Sequence, residues 1–455
     1  MKGKPMQQVV FALAVASMVL LSSPCTGQTF SPSGQNAFSL PISNITRENR
    51  RAHVIGNSFF NKNWVASPAS ASARDGLGPL FLARSCSACH LRDGRGVPPT
   101  DQQDSPALLF RLSIPGKGPQ GETVPDPVYG GQLASLAIPG EEPEGTMTIR
   151  YTEVPGEFVD GSIYSLRIPT YRFAPSGKFG PPDPALLIGP RIASAVFGLG
   201  LLEAVPEDLI LSHADPDDDD HDGISGRANR VWNPESKRRE VGRFGWKANQ
   251  ADIRQQTAAA FLGDIGITSS IHPQEDLTEA QRQFLAGLHF DPEPELDDKT
   301  LGRVVRYLQT LAPPARRRVS DPEVLRGEQL FRAANCTACH LPELQTAADV
   351  PGLPELAGQT IQPYTDLLLH DMGPGLADNR PDFEASGSEW RTPPLWGIGL
   401  TEVVNGHTNF LHDGRARNLE EAILWHGGEA QSSRDYFAAL NAEERIALFS
   451  FVNSL

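Results

Sequence analysis

Two short motifs, Cys86-Ser-Ala-Cys89-His90 and Cys336-Thr-Ala-Cys339-His340, carry the most specific chemistry in the chain. In Cys-x-x-Cys-His the thiols stand about one helical turn apart and the imidazole follows directly. That spacing lets both sulfurs form thioethers with the vinyl groups of one haem while the histidine binds its iron. Zinc also takes cysteine and histidine, but these pairs lie 250 residues apart, unlike the short intervals of a zinc ribbon. A redox disulfide within each pair would sit in a strand-to-helix unit, which neither motif has. The two copies predict two covalently bound c-type haems, held by Cys86, Cys89, His90, Cys336, Cys339 and His340.

The first residues set the compartment. Lys2 and Lys4 precede an apolar run from Val9 to Leu21, which is shorter than the roughly 20 residues a membrane span needs. Residues 1–27 read as a signal peptide and residues 28 onward as an exported, periplasmic chain, the alternative being a retained membrane anchor. Cleavage after Gly27 removes Cys25 and leaves four cysteines, all within the two motifs. With a net charge of −15, the chain is a poor partner for nucleic acid or an anionic membrane.

Elements must carry these motifs. Leu80-Phe81 aligns with Leu330-Phe331, so each motif has a phenylalanine five residues before its first cysteine, where a pre-haem helix would place it. Asp321 caps the second such helix, with Pro322 at its first position. At the C-terminus Asn441 and Glu444 form a capping box, and Ile446, Phe449 and Val452 form a stripe that would face the pre-haem helix. Residues 185–202, 251–263, 277–290 and 298–311 also read as helices. Alternation through 146–173, broken by a Gly-bearing turn, predicts a β-hairpin. The expected fold is mainly α, with two cytochrome-c-like haem domains. Residues 28–319 form the first, enlarged by an insertion holding the hairpin, and 320–455 form the second, after a linker at "APPARRR".

The acidic stretch at 215–229 places Asp218, Asp220 and Asp222 at alternate positions before Gly223, with Asn229 at the twelfth place of a calcium loop. A calcium site and a solvated acidic loop both fit this pattern. After His90 no histidine or methionine occurs before Met147, so the first haem lacks a nearby sixth ligand. Residues 320–455 hold His370, Met372, His407, His412 and His426.

The stretches "GLGPLFLARSCSACH", "DGISGRANRV", "FGWKANQADIRQQTAAAF", "LLLHDMGPGLAD", "RTPPLWGIGL" and "FLHDGRARNLEEAILWHGGEA" resemble the di-haem oxidoreductases related to bacterial cytochrome c peroxidases, in the thiol oxidoreductase branch. The resemblance covers nearly the whole mature chain. It implies peroxide reduction, or oxidation of a protein, at one haem, while the other relays electrons from a small redox protein. His90 and His340 match the proximal ligands. Trp246 matches the tryptophan between the haems, and Gln256, ten residues on, the active-site glutamine. Asp264 resembles the distal acid, although relatives usually carry Glu after an interval two residues longer. His426 falls where relatives place the second axial ligand of the relay haem, with Met372 as the alternative. Peroxide or a related small oxidant is the implied substrate. A di-haem electron carrier without a substrate of its own, and an oxygenase acting on an organic substrate, are the competing readings.

Overall fold

A computed structural model describes residues 34–70, 74–100, 105–288, 290 and 293–455. The signal-peptide segment lies outside the described residues.

Two pairs of crossed helices frame the two motifs. In the C-terminal pair, Pro322–Ala333 crosses Ala442–Val452. Asp321 accepts from Glu323 N–H to start the first helix, and Asn441 and Glu444 form the capping box that starts the second. The helices touch backbone to backbone at Gly327, where a Cβ would come within 1.9 Å of Ala447 O. The N-terminal pair repeats this plan. Helix Arg47–Asn61, capped by Thr46, crosses Asp298–Thr310, capped by Asp297. Here the close approach is at Gly56, where a Cβ would lie 2.0 Å from Arg303 O.

The repeat extends to the aromatic residues. Phe60 stands four residues after Gly56, and Phe331 four after Gly327. Phe60 lies 6.2 Å from the His90 ring and Phe331 lies 6.3 Å from the His340 ring. Phe60 also packs on Tyr307 and Phe331 on Phe451. This corrects the alignment of Phe81 with Phe331. Leu80–Phe81 is a strand paired with Leu136–Ala137, and some two dozen residues separate the true pre-haem helix from its motif. The stripe on the terminal helix holds for Val452 and for Phe449, which packs partly buried against the core, but not for Ile446. Ala447, Leu448, Phe451 and Val452 are buried, whereas Ile446 is 54% exposed.

The expected mainly-α class does not hold. Of the described residues 29% are helix and 20% strand, with several small sheets, which makes this a mixed α/β fold. Much of the extra strand lies between the helix pairs, in stretches rich in proline and glycine. Within 185–202, read as a helix, Gly189-Pro190 cannot sustain one. Leu187–Ile192 instead pairs with Leu108–Lys117, and only Leu199–Glu203 is helical, after Gly198 at φ +73°. Helix Ile253–Ala260 runs into a π-helical turn, Phe261–Ile265.

Gly145–Glu157 and Ile163–Pro175 form a long antiparallel hairpin that crosses to the C-terminal helices. Its tip residue Phe158 is buried beside Phe437, with the Arg445 guanidinium 3.9 Å from the ring centroid. Lower down, Tyr171 Oη donates to Asp413 Oδ2 at 2.8 Å. The "APPARRR" stretch is also tied down, with Arg317 N–H donating to Ser454 O at 2.7 Å. No helix among the described residues is long and apolar enough to cross a membrane.

Candidate functional site

A cavity of about 440 Å³ runs between the two motifs, and Cys86, Cys89, His90, Cys336, Cys339 and His340 all line it. Each Cys-x-x-Cys segment is a single 3-10 turn, which brings both thiols of a pair to the same wall. Behind each histidine a backbone carbonyl fixes the ring. His90 Nδ1 lies 2.7 Å from Ser194 O and His340 Nδ1 lies 2.9 Å from Tyr364 O. A carbonyl only accepts, so Nδ1 carries the proton in both rings and Nε2 keeps its lone pair. Iron-binding imidazoles are oriented in this way.

The cavity chemistry fits haem. Burial lowers the pKa of both histidines, His340 to about 4, so both rings stay neutral, as binding iron would require. Burial also pushes the Cys86 and Cys336 thiols up to about 12 and raises Cys89 and Cys339. A reactive dithiol needs a thiolate, which this environment resists. Arg95 and Arg391 line the same cavity, and burial lowers each to about 10. Their guanidinium groups donate to carbonyl oxygens, Arg95 to Asn409 O and Leu411 O, Arg391 to Gly245 O and Thr392 O. Buried cations bonded to carbonyls suit the carboxylates of haem propionates. Nothing in the spacing of the two arginines marks them in the sequence.

On the side of the first motif, Asp264 sits in the π-helical turn, and its backbone oxygen accepts from Leu82 and Ala83 N–H. Its charge is felt at Cys86, Cys89 and His90. Gln132 Nε2 donates to Asp264 Oδ1 and to Gly263 O, both at 2.8 Å, which holds the carboxylate in place. Gln132 lies too far away in sequence to be linked to Asp264 by any local pattern. Gln256 joins Asp264 in lining the cavity, about two turns earlier on the preceding helix.

Trp246 connects the two sides. Its indole N–H donates to Ile192 O at 2.8 Å, two residues before the carbonyl that holds His90. Its own carbonyl accepts from Arg391 N–H at 2.9 Å. Strand Glu389–Arg391 pairs with Leu369–Asp371, which carries His370 to within 3.5 Å of Cys339 Sγ. One short chain of bonds therefore leads from Trp246 to each motif.

On the side of the second motif, His426 lines the cavity with Nδ1 held 2.8 Å from Ala422 O. It is the third histidine with its Nε2 left free by a carbonyl on Nδ1. It lies close enough to His340 to lower that residue's pKa. Met372 also lines the cavity. His370 has both ring nitrogens engaged at 2.7 Å, with Glu429 and with Asp366. Burial alone would lower its pKa, but hydrogen bonds with Asp366, Cys339 and Glu429 hold it well above the usual value. An imidazolium clamped in this way has no lone pair for iron. His407 donates to Arg95 O and accepts from Asn409 N–H. His412 stacks flat on Trp390 at 3.8 Å, and burial lowers it to about 3.

The acidic stretch does not assemble the expected calcium set. Asp215, Asp218 and Asp220 bring carboxylate oxygens within 4.8 Å of one another, while Asp222 caps Ile224 N–H. The turn closes at Gly226, whose oxygen accepts from Asp215 N–H, before the chain reaches Asn229. Asn229 is wholly buried and fully used. It donates to Lys247 O and Asp382 O and accepts from Glu384 N–H. It cannot serve as the twelfth-position ligand. Asp215 and Asp218 are half-buried and Asp220 is exposed, and Asp215 and Asp218 also accept turn hydrogen bonds from Asp219 and Gly223 N–H.

No curated protein shows significant similarity to the chain. Among solved structures it aligns with hydrazine synthase of Kuenenia stuttgartiensis, determined under xenon pressure. The alignment covers 99% of this chain and all of that one, at 12% identity and a TM-score of 0.33, too low to carry an argument. The family model described as "Di-haem oxidoreductase, putative peroxidase" matches residues 20–111 and 183–455, leaving out the segment that contains the long hairpin. That match spans most of the sequence, both motifs and every cavity residue discussed above, and the chain belongs to the di-haem oxidoreductase family.

Proposed function

We propose that this protein is an exported c-type di-haem peroxidase, which reduces peroxide at the His90 side of the cavity with electrons that arrive through the His340 side. The observation that carries this reading is the asymmetry of the two sides. Asp264, held by Gln132, faces the first motif, and His426, held by Ala422 O, faces the second. A centre that reacts needs an open position and a proton carrier, whereas a centre that relays electrons does better with both axial positions filled.

Cys86 and Cys89 would hold one haem by thioethers and Cys336 and Cys339 the other, with the free Nε2 atoms of His90, His340 and His426 available to iron. Bound haem supplies the iron at which peroxide is reduced and the second centre that stores an electron. Asp264 moves a proton from one peroxide oxygen to the other as the O–O bond breaks. Two electrons and two protons complete its reduction to water. Gln256 orients the peroxide through its amide. Trp246 provides the path between the two sides, and a small redox protein replenishes the second. Export is supported by the basic start and apolar run before residue 28.

Stopped-flow absorbance of the reduced holoprotein mixed with hydrogen peroxide tests this. Both haems are expected to oxidise in the parent. In Trp246→Phe the first should oxidise at the parent rate while the second lags. If peroxide leaves both haem spectra unchanged, the chain is an electron carrier instead.

A further inference from the structure

The two halves of the chain differ at another matched pair of positions. Asp93 stands three residues after His90, and Glu343 three after His340. Tyr307 and Phe451 each stand ten residues after the N-cap of the second crossed helix, Asp297 and Asn441. In the second half these positions have nothing to do with each other. Glu343 is exposed and accepts from Gln362, and Phe451 packs against Phe331 and Tyr364. In the first half they meet. Tyr307 is wholly buried and its Oη donates to Asp93 Oδ1 at 2.7 Å, and Asp93 is only 3% exposed.

This arrangement costs stability. A buried carboxylate is expensive even when hydrogen bonded. Asp93 and its neighbour Arg92 also occupy left-handed backbone, at φ +62° and +53°, which side-chain-bearing residues seldom adopt. A phenylalanine at 307 and an outward acid at 93 would fill the same frame without either penalty, as the second half demonstrates. The costly version sits on the side assigned to peroxide chemistry. Its ring is 5.3 Å from Phe60, whose ring is 6.2 Å from His90.

We propose that Tyr307 is a proton-coupled redox site serving the first haem, with Asp93 as its proton acceptor. This rests on the peroxidase reading above. Tyr307 gives one electron to the first haem after peroxide has oxidised it, and the phenolic proton moves along the hydrogen bond to Asp93 Oδ1. The only bond broken is Oη–H. The products are a neutral phenoxyl radical, a protonated Asp93 and a haem centre reduced by one electron. Returning that electron from the second haem, and the proton from Asp93, restores the tyrosine. Trp246 lacks this option, because its indole N–H faces the Ile192 carbonyl, which cannot keep a proton. Tyr307 thus holds an oxidising equivalent inside the protein when the second haem has no electron to give.

Electron paramagnetic resonance of the fully oxidised holoprotein, frozen after mixing with hydrogen peroxide, tests the claim. The parent should show a tyrosyl radical signal that falls at least tenfold in Tyr307→Phe and in Asp93→Asn. Tyr307→Phe copies the packing of Phe451, so haem content and resting spectra should stay at parent levels. Equal tyrosyl signals in parent and Tyr307→Phe overturn the proposal, as does a parent whose haem spectrum responds to peroxide without any tyrosyl signal. If the haem spectrum does not respond to peroxide, the peroxidase reading fails. Flash-generated ruthenium(III) then replaces peroxide as the oxidant: a signal that depends on Tyr307 sustains the redox site, and equal signals in parent and variant overturn it.

Discussion

Gly56 and Phe60 on one helix meet Tyr307 on another, and Gly327, Phe331 and Phe451 repeat the contact in the second half. Each crevice adds a Cys-x-x-Cys-His turn and a carbonyl behind the histidine. Opposite these shared parts the crevices diverge. The first presents Asp264, with Asp93 beneath Tyr307, and the second presents His426 and the clamped His370. The parts that would hold a haem are duplicated, while the parts that would decide what a haem does come from the segments between the two helices of each pair. A duplicated frame can thus carry one reactive centre and one relay.

The largest effect should come from the residue that most separates the two sides. Loss of a general acid–base group costs roughly a hundredfold to ten-thousandfold in rate. Asp264→Asn should slow peroxide-dependent oxidation by that much, read by stopped flow, with haem content unchanged. A parent rate would reduce Asp264 to a structural residue of the π-helical turn. Next, His426→Ala should turn the second haem from low spin to high spin in the absorption spectrum and leave the first as it was. If Met372→Ala does this and His426→Ala does not, the ligand assignment is wrong.

The shared frame can be tested through its stability. Overpacking at a close contact typically costs about 1–3 kcal/mol. Gly56→Ala and Gly327→Ala should each destabilise by about that much in chemical denaturation, because a backbone carbonyl stands 2.0 or 1.9 Å from the new methyl group. A large loss at one glycine and none at the other would show that the two crossings are not equivalent. The smallest effect is expected at Ile446, which is 54% exposed on the outer face of the terminal helix. Ile446→Ala should stay within about 0.5 kcal/mol of the parent, and a larger loss would return Ile446 to the packed stripe of Phe449 and Val452.

The candidate site residues and the elements around them are legible where local spacing identifies them. Both Cys-x-x-Cys-His motifs, the caps at Asp321 and Asn441, and the hairpin around 146–173 are written in short windows. Phe81 misled because it copies the spacing of Phe331, whereas the true counterpart, Phe60, stands before a long loop that hides the repeat. The Gly-x-x-x-Phe pattern shared by residues 56–60 and 327–331 could have revealed it. Leu187–Ile192 was misread because an apolar run that ends in a short helix resembles one long helix until Gly189-Pro190 is given weight. Gln132, Arg95 and Arg391 could not be found, since each acts on residues far away in sequence. Asn229 shows the reverse error, a ligand position counted along the chain after the turn had already closed at Gly226.

The central claim is that one crevice is open for chemistry and the other is closed by a second histidine. Resonance Raman and low-temperature paramagnetic resonance of the oxidised holoprotein, before any peroxide is added, read the coordination of each iron directly. The account predicts one high-spin centre and one low-spin centre with two histidine ligands, the low-spin signal being lost in His426→Ala. Two low-spin six-coordinate centres, with His412→Ala rather than His426→Ala opening one of them, would contradict it.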